Sequence, residues 1–146
     1  ISREEHELEI VKGLADHDVE LIVLAGYMRL LSPVFLNEWQ HRVVNIHPSL
    51  LPHFPGGHAH RDVLSSKTSI TGCTVHLVDE GMDTGAVLAQ RAVPVFESDD
   101  ETSLSDRVKV EEHRLYPEVL TWIAEGRVHL TEGGVLVQDE TDRFVC

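Results

Sequence analysis

Cysteine, basic residues and long apolar runs are all scarce in this chain of 146 residues. Two cysteines, Cys73 and Cys146, are too few for a disulfide framework and have the wrong spacing for a zinc knuckle, which indicates a reducing, cytoplasmic compartment. The longest apolar run, Leu21–Ala25, is far too short to cross a bilayer, and no stretch has the pattern of a signal peptide. We therefore expect a cytoplasmic protein with no membrane partner.

The scarcity of basic residues bears on which partners are expected. Only 12 lysines and arginines stand against 25 acidic residues, which gives a formal charge of −13. A nucleic-acid surface needs clustered cations to neutralise phosphates, so no nucleic-acid partner is expected. An anionic small molecule would need a local positive site. The length suits one domain over residues 1–146, with a real core.

Helix and strand patterns alternate along the chain, which predicts an α/β fold. We expect an open, mostly parallel sheet flanked by helices, similar to a Rossmann fold, with a C-terminal β-hairpin. Pro117 is expected to kink or split the last helix. The predicted helices cover 2–16 (with a Ser2/Glu5 capping box), a segment opened by Ser32-Pro33, 58–66 and 102–125. The predicted strands cover 20–26 (buried on both faces), 42–46, 71–78, 86–95, 127–130 and 135–138.

A dense polar cluster follows the second predicted strand, in the sequence Asn45-Ile-His-Pro-Ser-Leu-Leu-Pro52. Asn45 and His47 are two positions apart, so their side chains leave the strand on the same face. Ligands of open α/β sheets bind beyond the carboxyl ends of strands. An amide beside an imidazole there can stabilise an oxyanion at a carbonyl carbon under attack. The alternative is that both side chains only satisfy backbone groups at the strand end.

Asp83 lies in the acidic turn DEGMDTG, residues 79–85, between two predicted strands. A carboxylate near His47 would favour its protonated imidazole and could accept a proton, directly or through water. The alternative is an aspartate that merely orders a glycine-flanked turn.

Other polar groups support weaker hypotheses. His53, His58 and His60 crowd one loop, but three or four ligands of suitable geometry are usual for zinc, so a solvated loop is the alternative to a metal site. The Glu111-Glu112-His113 run on the last helix is typical of a solvated face. No phosphate-loop, dinucleotide-binding or nucleophile-elbow motif is present, and neither cysteine has a neighbouring base.

Taken together, five ordered segments carry a specific resemblance: LAGYMRLLSPVF, NIHPSLLP, PGGHAH, TGCTVHLVDEGMDTG and VKVEEHRLYPEVL. Over roughly residues 8–138 the chain resembles the phosphoribosylglycinamide formyltransferases. The resemblance implies the formyltransferase fold and transfer of a formyl group from 10-formyltetrahydrofolate to glycinamide ribonucleotide in purine synthesis. It implies no metal and no covalent intermediate, and it leaves monomer or homodimer open.

The resemblance also implies the site residues. Asn45, His47 and Asp83 match the catalytic trio. Glu112 would bind the acceptor's ribose hydroxyls, with Lys109 one turn earlier on the helix and acceptor contacts near Ile46 and Pro48. The residues implied to bind the folate donor are Leu24, Met28, Arg29, Leu30, Leu36, Val43, Asp79, Glu80 and Asp83.

This sequence departs from the family pattern at its start. The family begins with a strand and a Gly/Ser/Asn-rich loop that holds the acceptor's phosphate, and this sequence has no such region, so we expect a domain truncated at its N-terminus. Two rivals stay open. One is a formyltetrahydrofolate hydrolase or another formyl-folate transferase, and the other is a folate-binding module without catalysis.

Overall fold

The computed structural model describes residues 2–27, 29–131 and 134–137; of 131 and 134–137 only the backbone is described. The chain alternates helices and strands, as the patterns predict. The helices are α1 (Arg3–Ala15), α2 (Pro33–Glu38), α3 (Ala59–Ser66) and α4 (Glu101–Ala124). The strands are β1 (Ile22–Val23), β2 (Val43–His47), β3 (Ile70–Leu77), β4 (Val87–Pro94), β5 (Val128–Thr131) and β6 (Gly134–Val137).

Local capping signals fix where the first two helices begin. The Ser2 hydroxyl accepts from the Glu5 amide, and the Glu5 carboxylate accepts from the Ser2 amide, so the predicted capping box is confirmed. Ser32 caps α2 by accepting from the Phe35 amide, with Pro33 at the first helical position. The buried Glu7 carboxylate of α1 in turn accepts from the Ser32 amide and hydroxyl, which joins the two helices.

Helix α4 differs from its prediction at two points. Its cap is Asp100, paired with Ser103 in a capping box, two residues before the predicted Thr102. Of the kink or split expected at Pro117, the split is absent, because α4 runs as one helix through that residue. A proline removes only one helical hydrogen bond, and the burial of Leu115 and Val119 on either side supports continuity.

The main sheet has the strand order β1-β2-β3-β4 and is mixed. Only β1 and β2 run parallel, whereas β2–β3 and β3–β4 are antiparallel, so the prediction of a mostly parallel sheet is wrong for the described strands. Residues 48–69 return the chain to the edge where β2 ends, and the short connection 78–86 reverses it again. Neither connection makes the crossover that parallel pairing requires.

Strand β1 is shorter and more exposed than expected. It pairs with β2 through Ile22↔Val43 and Val23↔Val44 only, and Val23 is 41% exposed, so the prediction of burial on both faces is wrong. Beyond β1 the chain turns through Gly26 at φ +69°, a conformation that glycine adopts without a steric penalty.

Two hydrophobic clusters lie on opposite faces of the sheet. Val43 packs with Leu31, Phe35 and other residues of the α1–α2 layer, whereas its neighbour Val44 packs into the cluster under α4. Successive strand side chains alternate between faces, and this explains why both valines are fully buried.

The last two strands form a separate antiparallel pair, in register from Val128↔Val137 to Thr131↔Gly134. They correspond to the two strands of the predicted terminal hairpin. The connecting residues 132–133 and the predicted strand residue Gln138 lie outside the described residues. None of the helices described is long and apolar enough to cross a membrane.

Candidate active site

Four polar side chains leave one face of the sheet together. Antiparallel pairing sets Asn45 opposite His76 and His47 opposite Thr74. Opposed residues share a face, and so do residues two apart on one strand. The intervening Val44 belongs to the core on the other face. The predicted common face of Asn45 and His47 is therefore present, and β3 adds two polar groups to it.

This polar face opens into a cleft of about 800 Å³. Volumes of this size are usual for small-molecule sites. The walls come from the chain after β1, the end of β2, the 79–85 turn, the start of α3 and one side of α4. The residues predicted from sequence that line it are Leu24, Arg29, Leu30, Asn45, Ile46, His47, Pro48, Asp79, Asp83, Lys109 and Glu112.

The His47 imidazole is held at both ring nitrogens. Its Nε2 donates to the Phe54 carbonyl oxygen at 2.8 Å, which places a proton on that nitrogen because a carbonyl only accepts. Its Nδ1 lies 3.5 Å from the Asp83 Oδ2 atom. The ring is buried, at 5% exposure. A carboxylate at this distance can stabilise a positive charge on the ring.

Asp83 faces the histidines, and a different aspartate orders the turn. Asp79 Oδ1 accepts from the Gly81 amide at 2.9 Å and from the Thr84 hydroxyl at 2.6 Å, which holds the turn closed. Asp83 has a left-handed backbone (φ 57°), which aspartate tolerates better than most residues, and its Oδ2 also accepts from the Gly56 amide at 2.9 Å. It is therefore Asp79, and not Asp83, whose side chain orders the turn.

A buried hydrogen-bond network supports the loop that contacts His47. The Thr74 hydroxyl donates to the Ser49 carbonyl at 2.7 Å and accepts from the Leu51 amide at 3.1 Å. The Gln90 amide donates to the Leu51 carbonyl at 2.9 Å and to the Thr74 hydroxyl at 3.0 Å. The Ser49 hydroxyl lies 3.2 Å from the Phe54 carbonyl oxygen. Polar contacts therefore set the position of the carbonyl that accepts from the imidazole.

Sequence reasoning missed His76, which is 2% exposed. Its Nε2 lies 3.7 Å from the Asp83 Oδ1 atom, so the carboxyl group sits between two imidazoles. The alternating pattern over 71–78 is the signal that could have found it, since His76 follows Thr74 by two positions. That His76 lies opposite Asn45 depends on the register between the two strands, and no local sequence pattern gives that register.

Four of the residues expected to bind the folate donor are not shown to line this cleft. Val43 is fully buried in the core. Leu36 is also buried and lines a smaller cavity of about 310 Å³, together with Glu80. Asp79 borders both cavities. Met28 lies outside the described residues.

On the α4 side of the cleft lie the Lys109 ammonium and the partly buried Glu112 carboxyl group. Burial raises the pKa of the Glu112 carboxyl above its ordinary value, although the charges of His113 and Lys109 oppose that shift. Burial likewise lowers the pKa of His60, whose Nδ1 finds no hydrogen-bond partner in the part of the chain that the structure describes. This half of the cleft therefore offers groups that can bind hydroxyls as well as an ammonium for an anion.

The Tyr116 hydroxyl ties α4 to the strand ends at the cleft wall. It donates at 2.7 Å to the Leu24 carbonyl and lies 3.1 Å from the Val44 carbonyl. Burial raises the pKa of this phenol, so it stays protonated and keeps donating. The contact fixes the start of the 24–31 segment relative to β2.

Among the described residues no group of three or more His, Cys, Asp or Glu side chains could hold a metal ion. The loop histidines therefore form no such cluster. His60 instead lines the cleft.

The family model for formyl transferases matches residues 1–120 of this chain. The chain belongs to the formyl transferase family. The match covers both strands of the polar face, the 79–85 turn and most of α4. It confirms the resemblance that the sequence motifs carry, and the α/β architecture with an open sheet flanked by helices agrees with it.

Two named relatives show which members of the formyl transferase family this chain is similar to. Over 131 residues, 90% of this chain, the chain is 42% identical to the phosphoribosylglycinamide formyltransferase of Escherichia coli and spans 62% of that protein. It is 46% identical to the trifunctional purine biosynthetic protein adenosine-3 of Chironomus tentans, covering 90% of this chain but 10% of that protein. The chain thus spans less than two thirds of either relative.

A solved structure is also similar to this chain. The crystal structure of glycinamide ribonucleotide transformylase 1 from Symbiobacterium toebii aligns with a TM-score of 0.89 and 43% identity. The alignment covers 94% of this chain and 65% of that one. At this identity, the likeness is one of sequence as well as of fold.

Proposed function

We propose that this protein transfers the formyl group of 10-formyltetrahydrofolate to the amine of glycinamide ribonucleotide. The observation that carries the proposal is the meeting of three side chains: Asp83 lies 3.5 Å from His47, and Asn45 leaves the same sheet face into the cleft. The named relatives support the choice of acceptor.

The chemistry begins with attack of the acceptor's free amine on the formyl carbon. A carbon–nitrogen bond forms, and the carbonyl electron pair moves to oxygen. The Asn45 amide and the protonated His47 donate hydrogen bonds to that oxyanion. Loss of one such donor commonly costs about 10²–10³ in rate.

Asp83 has two roles in this sequence of steps. Its carboxylate holds His47 in the charged form, and it accepts the proton of the attacking amine through water. When the tetrahedral species collapses, the bond from the formyl carbon to the folate nitrogen breaks, and that nitrogen takes up the proton. No protein nucleophile takes part.

The structure adds one requirement to this mechanism. The His47 Nε2–H is already bonded to the Phe54 carbonyl at 2.8 Å. The imidazole can donate to the formyl oxygen only after the Phe54 carbonyl has moved away from Nε2. Substrate binding is therefore expected to displace the 53–56 segment.

The two substrates are assigned to different walls of the cleft. The donor is placed along Leu24, Arg29, Leu30 and the 79–83 turn, which combine apolar surface with backbone polar groups. The acceptor's ribose is placed near Glu112 and its charge near Lys109, beyond Ile46 and Pro48. The acidic chain makes such a local cation necessary for an anionic acceptor.

The test uses the protein as its gene encodes it. Donor consumption is measured with no acceptor, with glycinamide ribonucleotide, with a sugar amine and with an aminoacyl-tRNA. We expect rapid consumption with glycinamide ribonucleotide alone. Equal release of formate without any acceptor would instead identify a hydrolase. Donor binding without turnover under every condition would identify a folate-binding module.

A further inference from the structure

The tautomer of His76 follows from the hydrogen bond at its Nδ1. Its Nδ1 lies 2.9 Å from the Leu77 carbonyl oxygen, which can only accept, so the proton is on Nδ1. In a neutral ring Nε2 then carries a lone pair. That nitrogen is buried and has no hydrogen-bond partner among the described residues.

The unsatisfied nitrogen is directed at the carboxyl group used in the proposed chemistry. His76 Nε2 lies 3.7 Å from Asp83 Oδ1, whereas Asp83 Oδ2 faces the His47 Nδ1 at 3.5 Å and the Gly56 amide at 2.9 Å. Each carboxyl oxygen therefore has its own imidazole. One imidazole can donate, and the other can only accept.

We propose that His76 is a positioning residue for formyl transfer, whose Nε2 accepts a hydrogen bond from the Asp83 carboxyl group while that group holds the amine's proton. This inference rests on the proposed function. In the step, an amine N–H bond breaks, a water molecule relays the proton, and an O–H bond forms on Asp83 Oδ1. The proton stays on oxygen, hydrogen-bonded to Nε2, until the folate nitrogen takes it. The two atoms must approach by roughly 1 Å to reach hydrogen-bond distance.

The surroundings of His76 keep its ring in the accepting form. Burial is the largest influence and lowers the pKa of the imidazole. The carboxylates of Asp83 and Asp79 and the Leu77 carbonyl oppose this, whereas His47 adds to it. A neutral His76 accepts from a protonated Asp83, whereas a charged one would compete with His47 for the carboxylate.

Two conservative variants separate this role from a structural one. In His76→Asn the side-chain amide takes the place of Nδ1, so the bond to Leu77 can persist while the acceptor is lost. In His76→Gln the amide reaches the position of Nε2, so an acceptor oxygen can be kept while the Leu77 bond is lost.

We expect kcat to fall about tenfold in His76→Asn, the worth of one hydrogen bond, with KM for both substrates unchanged. We expect kcat of His76→Gln to stay within about twofold of the wild type. Unchanged kcat in the Asn variant, or the reverse order of the two variants, would overturn the role. An inactive wild type would instead overturn the proposed function.

A second readout needs no turnover. Side-chain ¹⁵N NMR of the protein should show His76 with a protonated Nδ1 and a bare Nε2, and the Nε2 resonance should move in Asp83→Asn. A proton on Nε2 in the wild type, or no response to the change at Asp83, would overturn the proposed contact.

Discussion

Replacement of Asp83 by asparagine removes one charge and almost no volume. The carbonyl oxygen of the new side-chain amide can still accept from the Gly56 amide, so the turn and the loop beside it stay in place. The nitrogen of that amide then points toward the bare Nε2 of His76, which lies 3.7 Å from Oδ1 in the wild type, and offers it a donor. We therefore expect the variant to keep its fold, with a free energy of unfolding lowered by no more than the lost charge pair contributed.

The catalytic cost comes from the lost charge. Two unit charges 3.5 Å apart attract by roughly 5 kcal/mol at an effective dielectric constant of 20, which is the upper bound for the effect on a protonated His47. Solvent at the open cleft reduces that value. The loss also includes the acceptor for the amine's proton. We expect kcat to fall by about 10²–10³, the range seen when oxyanion stabilisation is lost.

The assay compares steady-state formyl transfer by Asp83→Asn with that by Asp62→Asn. The control removes a carboxylate from α3, at a position that does not line the cleft. Urea unfolding of each variant checks the fold. Turnover of Asp83→Asn within about threefold of the wild type, with the fold intact, would refute the reasoning about the carboxylate.

Three further predictions concern the surroundings of the site. In Gly85→Ala the added Cβ would lie 1.7 Å from a β3 carbonyl oxygen, so urea unfolding should show the free energy of unfolding lowered by about 3 kcal/mol. In Gly57→Ala the added Cβ would meet no described atom within 4 Å, so the same measurement should change little. Burial raises the pKa of Cys73 to about 12, so in a variant lacking the other cysteine a thiol reagent should react at neutral pH only after unfolding. Burial lowers the pKa of His60 and His76 below 6.5, so the unfolded state binds protons first and the free energy of unfolding should fall as pH drops below about 6.5. A double variant with glutamine at both histidines should show a smaller fall over the same range.

The elements that the sequence could predict are those with local causes. Capping at Ser2 and Ser32 depends on side chains within three residues, and both helix starts are confirmed. The common face of Asn45 and His47 follows from strand alternation alone. The approach of Asp83 to His47 did not follow from spacing, and it was expected only from the family resemblance.

What could not be predicted depends on distant parts of the chain. Strand direction is set by where the connections 48–69 and 78–86 return, and the patterns carry no such information. The role of His76 depends on the register between β2 and β3. The continuity of α4 through Pro117 depends on core packing, which outweighs one lost hydrogen bond.

A crystal structure of the protein with glycinamide ribonucleotide and a non-transferable analogue of the formyl-folate donor tests the central claim most directly. We predict that the analogue's carbonyl oxygen lies within hydrogen-bond distance of the Asn45 amide and His47 Nε2, with the Phe54 carbonyl displaced and the acceptor's amine beside Asp83. A carbonyl oxygen bound elsewhere, with His47 still donating to Phe54, would contradict the account.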